Sequence, residues 1–217
     1  MTGDDHSLDA GSGQDVPGAS GPDPGAGARV GAGPDSGTGD TPEARTIVLL
    51  GVPGAGVSTS ARAVAGALGL PLRDTDDLVA DRLGAPVHEL VVDLGESEFR
   101  AAESAVAAEA LGGDPLEEPA VVALGSGAID AATERLADLR GSGAVVVHLR
   151  ITPGTAMRRL GLSGLGSVAL PNPRAMWTTM AAERDAALAA VATVTIDTTT
   201  MNEEQVLAAV LEVVRGD

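Results

Sequence analysis

The sequence predicts an α/β domain, a three-layer α/β/α sandwich around a mostly parallel central sheet. Three observations lead there. The apolar runs TIVLL at 46–50, PAVVAL at 119–124 and AVVVHL at 144–149 carry no polar alternation, as strands buried on both faces require. Stretches with helical spacing separate these runs, and such alternation implies parallel strands covered by helices. The first run ends directly in a glycine-rich loop, GVPGAGVST at 51–59, which opens into one of those helices.

Residues 1–43 are rich in Gly, Asp, Pro and Ser, with Leu8, Val16 and Val30 as their only branched aliphatics. Such a segment cannot bury enough apolar surface to offset its ordering entropy. Disorder is expected there, with the folded domain over 44–217. The domain starts with the strand at 46–50. After the glycine loop, SARAVAGALGL from Ser60 has helical spacing and closes at Gly69. Pro71 and Leu72 lead into RDTDD at 73–77, followed by a second helix over DLVADRLG at 77–84. GESEFRAAESAVAAEAL at 95–111, between Gly95 and Gly112, predicts a third. The strand at 119–124 opens into GSGAI, the strand at 144–149 follows, and VTID at 194–197 is the last. NEEQVLAAVLEVV at 202–214 predicts the final helix, with Asn202 as its N-cap and acidic residues in its first turn.

Composition narrows the partners. The chain has 217 residues, enough for one domain and a tail, and 44% of them are hydrophobic. Phe99 and Trp177 are its only aromatic residues, so the core is aliphatic and no platform exists for stacking single-stranded nucleic acid. A net charge of −17 and a pI near 4.3 oppose nucleic acid and anionic membranes. A bound nucleotide is compatible with that field, because a local pocket of amides and arginines can hold it. The absence of cysteine removes disulfides, thiolate metal sites and a thiol nucleophile. The N-terminus MTGDDHSLDAG lacks the basic and apolar regions of a signal peptide, and no apolar run reaches the length of a membrane span. The expectation is a cytoplasmic monomer acting on small molecules.

The spacing of GVPGAGVST is that of a phosphate-binding P-loop, G-x-x-x-x-G-K-[ST]. Its glycines let backbone N–H groups wrap a polyphosphate, its lysine reaches the β/γ-phosphates, and its hydroxyl ligates Mg²⁺. Gly51, Gly54, Gly56, Ser58 and Thr59 are present, but Val57 stands at the lysine position. All fourteen basic residues are arginines, so no lysine elsewhere can substitute. Kept only for packing, the same loop would be a tight strand-to-helix turn. Asp74, Asp76 and Asp77 in isolation would read as a solvated helix cap. His6, His88 and His148 have no ligand spacing, and Phe99 and Trp177 read as core anchors.

Further motifs follow in a fixed order: DTDD at 74–77, GESEFRAAE at 95–103, LGSGAI at 124–129, MRRLG at 157–161 and ERDAAL at 183–188. Together with the glycine loop they closely resemble the shikimate kinases over roughly residues 46–215. The resemblance implies a P-loop kinase fold, ATP and Mg²⁺ as cofactors, and phosphorylation of the shikimate 3-hydroxyl in aromatic amino-acid biosynthesis. It implies that Asp76 contacts the substrate hydroxyls and accepts the proton of the attacking one. Asp74 would lie near Mg²⁺ and its waters, with Ser58 as the metal's hydroxyl ligand. Arg100 and Arg184 would clamp the shikimate carboxylate, and Ser126 and Gly127 would lie on the substrate loop; Glu103, three residues after Arg100 on a helix, is spaced to orient it. Gly54, Ala55, Gly56, Val57, Ser58 and Thr59, with Arg159 as a lid arginine, would contact the nucleotide.

The departures are equally local. Val57 replaces the lysine, Ser126 replaces the middle glycine of the family's G-G-G loop, and VALPNP at 168–173 lacks the lid's ATP-contacting arginine. Two functions of different class remain: a shikimate kinase impaired by Val57, and a non-catalytic relative that acts as a binding or regulatory protein. A kinase for another small molecule is the weaker third reading, motivated by Ser126.

Overall fold

The computed structural model describes residues 45–85, 96–162 and 173–216. The predicted tail, His88, Gly95 and lid residues 168–172 lie outside the described residues. Within them the order is β1 (Ile47–Leu50), α1 (Val57–Leu68), β2 (Leu72–Asp74), α2 (Thr75–Leu83), α3 (Glu96–Ala110) and β3 (Val121–Leu124). A 3₁₀ turn (Ser126–Ala128) leads to α4 (Ile129–Gly141), β4 (Val145–Arg150), α5 (Pro153–Arg159), α6 (Pro173–Val191), β5 (Val194–Asp197) and α7 (Glu203–Arg215).

The five strands form one sheet in the order β2-β3-β1-β4-β5, and every neighbouring pair is parallel. Ile47, Leu49, Leu50, Leu124 and Leu149 are completely or almost completely buried, which explains why β1, β3 and β4 read as unbroken apolar runs. Removing such a side chain from water stabilises the fold by about 1.5–3 kcal/mol. α1 packs against α7 in one helical row, and α4 packs against α3 and α6 in the other. These rows cover the sheet and complete the α/β/α sandwich that the strand pattern predicts.

Helix α1 begins at Val57, three residues before the predicted Ser60. The difference is physical: Gly56, at φ 90°, is the left-handed N-cap, so the end of the glycine loop is already the first helical turn. In the same way α2 begins at Thr75 with Asp74 as N-cap, which puts Asp76 and Asp77 in its first turn. The helices α4, α5 and α6 had no counterpart in the sequence reading. In α6, PRAMWTTMAAERDAALAAV, alanine is scattered all round and leaves only a weak apolar stripe. Helix α7 matches its prediction, with a capping box between Asn202 and Gln205.

Candidate active site

All parallel strands end on the same side, so the loops that follow β1, β2 and β3 gather beyond the carboxyl edge of the sheet. A cavity of about 1220 Å³ opens there. It brings together the glycine-loop and acceptor-side candidates Gly54, Ala55, Gly56, Val57, Ser58, Thr59, Asp74, Asp76, Arg100, Ser126, Gly127, Arg159 and Arg184.

The glycine loop is held by close backbone packing. A Cβ on Gly51 would stand 2.7 Å from the Leu149 carbonyl oxygen, and Gly54, at φ 88°, lies against Ala156 of α5. Trp177 of α6 donates its indole N–H to the Pro53 carbonyl at 3.1 Å. Ser60 N–H donates to the Gly56 carbonyl, closing the first turn of α1 and leaving the N–H groups of Val57, Ser58 and Thr59 at its open end. This end suits an anion. Val57 supplies no charge; it packs half-buried against the core.

Arg159 is the cation beside this loop. Its Nη1 donates to the Gly54 and Ala55 carbonyls, both at 3.3 Å, and its Nη2 to the Thr198 and Met201 carbonyls at 3.1 and 3.2 Å. The guanidinium thus ties the glycine loop to the turn between β5 and α7. Arg158 instead donates to Thr155 at 2.8 Å, and Arg174 is exposed. Neither residue lines the cavity.

The other half of the cavity is built on α2, α3, the turn after β3, and α6. Asp74 accepts from the Asp76 N–H through Oδ1 at 3.1 Å, while its Oδ2 is buried with no hydrogen-bond partner. An orphaned carboxylate oxygen in a site beside a hydroxyl-bearing glycine loop fits Mg²⁺, a hard cation that takes oxygen ligands and keeps several waters. Among the described residues no cluster of three or more His, Asp or Glu could cage a metal by itself. Thr75 accepts from the Gly125 N–H at 2.8 Å and holds the β3 turn against α2. A Cβ on Gly125 would lie 2.9 Å from Asp76 Oδ1, so glycine is what admits the carboxylate there.

Asp76 is open to the water of the cleft yet has protein on most sides. That crowding is the first cause of a pKa pushed up from 3.8 to about 6; the negative charges of Asp74, Glu103 and Asp77 add to it. Arg100 pairs with Glu103 at 2.6 Å, one turn apart on α3, as the spacing predicts. A side chain on Gly127 would collide with both. Arg184 donates from Nη1 to Ser126 Oγ at 2.8 Å. Burial, and after it the neighbouring charge of Arg100, push the Arg184 pKa down.

Residues without a sequence motif complete this wall. Trp177 is a core residue as expected, 7% exposed, but its N–H also pins the glycine loop. Met180, Met201, Asn202, Glu203 and Glu204 line the cavity as well. Met180 and Arg184 stand three and seven residues after Trp177, a helical spacing that could have pointed to one face once 173–191 was read as a helix.

Comparison with known proteins identifies the family. The family model described as shikimate kinase matches residues 53–215. The shikimate kinase of Thermobifida fusca is 41% identical over 158 residues, 73% of this chain and 88% of the relative. That of Salinispora tropica is 39% identical over 162 residues, 75% of this chain and 93% of the relative. The structure of shikimate kinase from Acinetobacter baumannii in complex with shikimate superposes with a TM-score of 0.67 at 26% identity, covering 79% of this chain and 93% of that one. Family match, identity over most of each relative and shared architecture converge, and the chain belongs to the shikimate kinase family.

Proposed function

We propose that the chain transfers the terminal phosphoryl group of ATP to the 3-hydroxyl of shikimate, at a rate limited by Val57. The observation that carries this reading is Asp76, a carboxylate with its pKa raised to about 6, in one cavity with the guanidiniums of both Arg100 and Arg184. Arg100 and Arg184 bind the acceptor's carboxylate and turn its hydroxyl toward Asp76. A guanidinium fork matches a planar carboxylate with two parallel hydrogen bonds. Asp76 takes the hydroxyl proton as the new O–P bond forms and the bond from the γ-phosphorus to the bridging oxygen breaks, releasing ADP.

The N–H groups at the start of α1 and the glycines at 54 and 56 receive the phosphates. Ser58 Oγ and Asp74, through its unpartnered Oδ2, would hold Mg²⁺, which supplies neutralisation of phosphate charge when bound. Thr59 and Arg159 complete the nucleotide side, Arg159 by fixing the loop's carbonyls. The enzyme acts as a cytoplasmic monomer.

A second reading is a shikimate-binding relative without turnover that regulates or partners another protein. Three observations favour it: Val57, the absence of any Arg or Lys in residues 163–172, and the spreading of Arg159 over four carbonyls. Phosphoryl transfer is mainly positioning and charge stabilisation, so an absent cation bears directly on rate. A coupled ATPase assay with and without shikimate, on the natural protein and on Val57→Lys, separates the two. Restoring one preorganised charge contact is expected to raise turnover on the order of 10²–10³-fold. Shikimate-dependent turnover in the natural protein eliminates the second reading. If neither protein turns over or binds ATP with Mg²⁺ by calorimetry, the kinase assignment fails.

A further inference from the structure

The two acceptor-side arginines are held in chemically different ways. Arg100 is paired with a carboxylate, Glu103, at 2.6 Å. Arg184 has one hydrogen-bond partner among the described residues, the neutral hydroxyl of Ser126 at 2.8 Å. A carboxylate partner fixes a guanidinium and cancels much of its charge; a hydroxyl fixes it and leaves the charge in place. Ser126 is itself 9% exposed and sits in the 3₁₀ turn, whose first N–H is anchored through Gly125 to Thr75. Its Oγ is therefore presented from a rigid support. Arg184 is half-buried on α6, repelled by Arg100 and attracted at longer range by Glu103, Asp130 and Glu183, while Ser126 supplies its directional hydrogen bond.

We propose that Ser126 is a positioning residue that sets the Arg184 guanidinium in place through a neutral hydroxyl, with no carboxylate bonded to it directly, so that its fork is free to take a carboxylate-bearing acceptor. The family resemblance puts a glycine at this position, where no side chain could make the bond. Arginine carries large rotamer freedom, and ordering it before the ligand arrives removes that cost from binding.

The test has two arms, and only the second rests on the shikimate reading. In the first, the Arg184 Nε–H order parameter is measured by ¹⁵N relaxation in the ligand-free natural protein and in Ser126→Ala, which keeps the Cβ and the turn. Greater mobility of Arg184 in the variant is expected; equal order overturns the proposal whatever the acceptor is. In the second, shikimate and shikimate methyl ester are titrated calorimetrically into both proteins. Freeing one side chain should weaken shikimate binding roughly 2- to 10-fold, while ester binding stays the same in the two proteins. Equal weakening for acid and ester would mean a general disturbance of the pocket and would also overturn the proposal. If shikimate fails to bind the natural protein, the shikimate assignment falls, and the relaxation arm alone decides the role of Ser126.

Discussion

Asp76 stands among three other carboxylates, and its chemistry follows from that company. Crowding by protein, then Asp74, Glu103 and Asp77, raise its pKa to about 6. A raised carboxylate pKa means that the proton is held to higher pH, so the base is available above about 6 and is lost below it. A ¹³C-carboxyl titration of the metal-free, ligand-free protein should show a midpoint near that value. Glu103→Gln removes one of the negative neighbours and should move the midpoint downward; an unmoved midpoint would refute the cause assigned. Asp76→Asn should lower turnover by roughly 10²–10⁴, the usual contribution of a positioned base, with little change in melting temperature.

At the scale of elements, α6 joins the two halves of the cavity. Trp177 holds the Pro53 carbonyl of the glycine loop, Met180 lines the space between, and Arg184 reaches the acceptor side. A net hydrogen bond contributes about 0.5–1.5 kcal/mol, so Trp177→Phe, which keeps an aromatic ring and deletes the N–H, should weaken ATP binding by roughly 2- to 10-fold. Shikimate binding should be unaffected, and a loss on both sides would refute a role confined to the loop.

Helix ends show what an all-arginine cation set does elsewhere in the fold. Arg73 donates to the Ala110 and Gly112 carbonyls, Arg135 to those of Leu111 and Gly113, and Arg140 to those of Ala190, Val191 and Ala192. These satisfy the terminal carbonyls of α3 and α6, where a positive charge also complements the helix dipole. At the opposite kind of terminus, Asn202→Ala breaks the capping box of α7 and should cost about 1 kcal/mol, read from a denaturant midpoint shifted at constant slope.

For the molecule as a whole, His148 is a buried group that links stability to pH. It lies fully buried on β4, 3.5 Å from Asp185 through Nε2 and 3.5 Å from Thr195 through Nδ1, with Nε2 lacking a well-formed hydrogen bond. Asp185 favours the protonated ring, but burial opposes it more strongly and Arg150 adds to the opposition, so the pKa is lowered from 6.5. The unfolded chain then takes up a proton that the folded one refuses, and stability is lost as the pH falls below about 6.5. Asp76 acts in the opposite sense, because its raised pKa makes the folded state the better proton acceptor between 3.8 and about 6. Replacing His148 with Gln should therefore flatten the acid side of a stability-against-pH curve measured by denaturant unfolding. An unchanged curve would exclude His148 as its origin.

The sequence by itself determined four of the five strands and, through its motifs, most of the glycine-loop and acceptor-side residues of the cleft. β1, β3 and β4 were legible because strands buried on both faces must be apolar throughout, and the glycine loop because phosphate-sized backbone curvature requires Gly54 and Gly56. The spacing between Arg100 and Glu103 was enough to foresee their pairing, since residues three apart meet on a helix. Helix α6 was not legible, because its partners come from distant parts of the chain and scattered alanines blur its stripe. Only the tertiary structure decided that Arg159 spends itself on four carbonyls, that Trp177 holds the loop, and that Ser126 takes Arg184. Each is a contact across tens of residues between side chains whose identities permit many partners, and it is the packing of helices on the sheet that selects one.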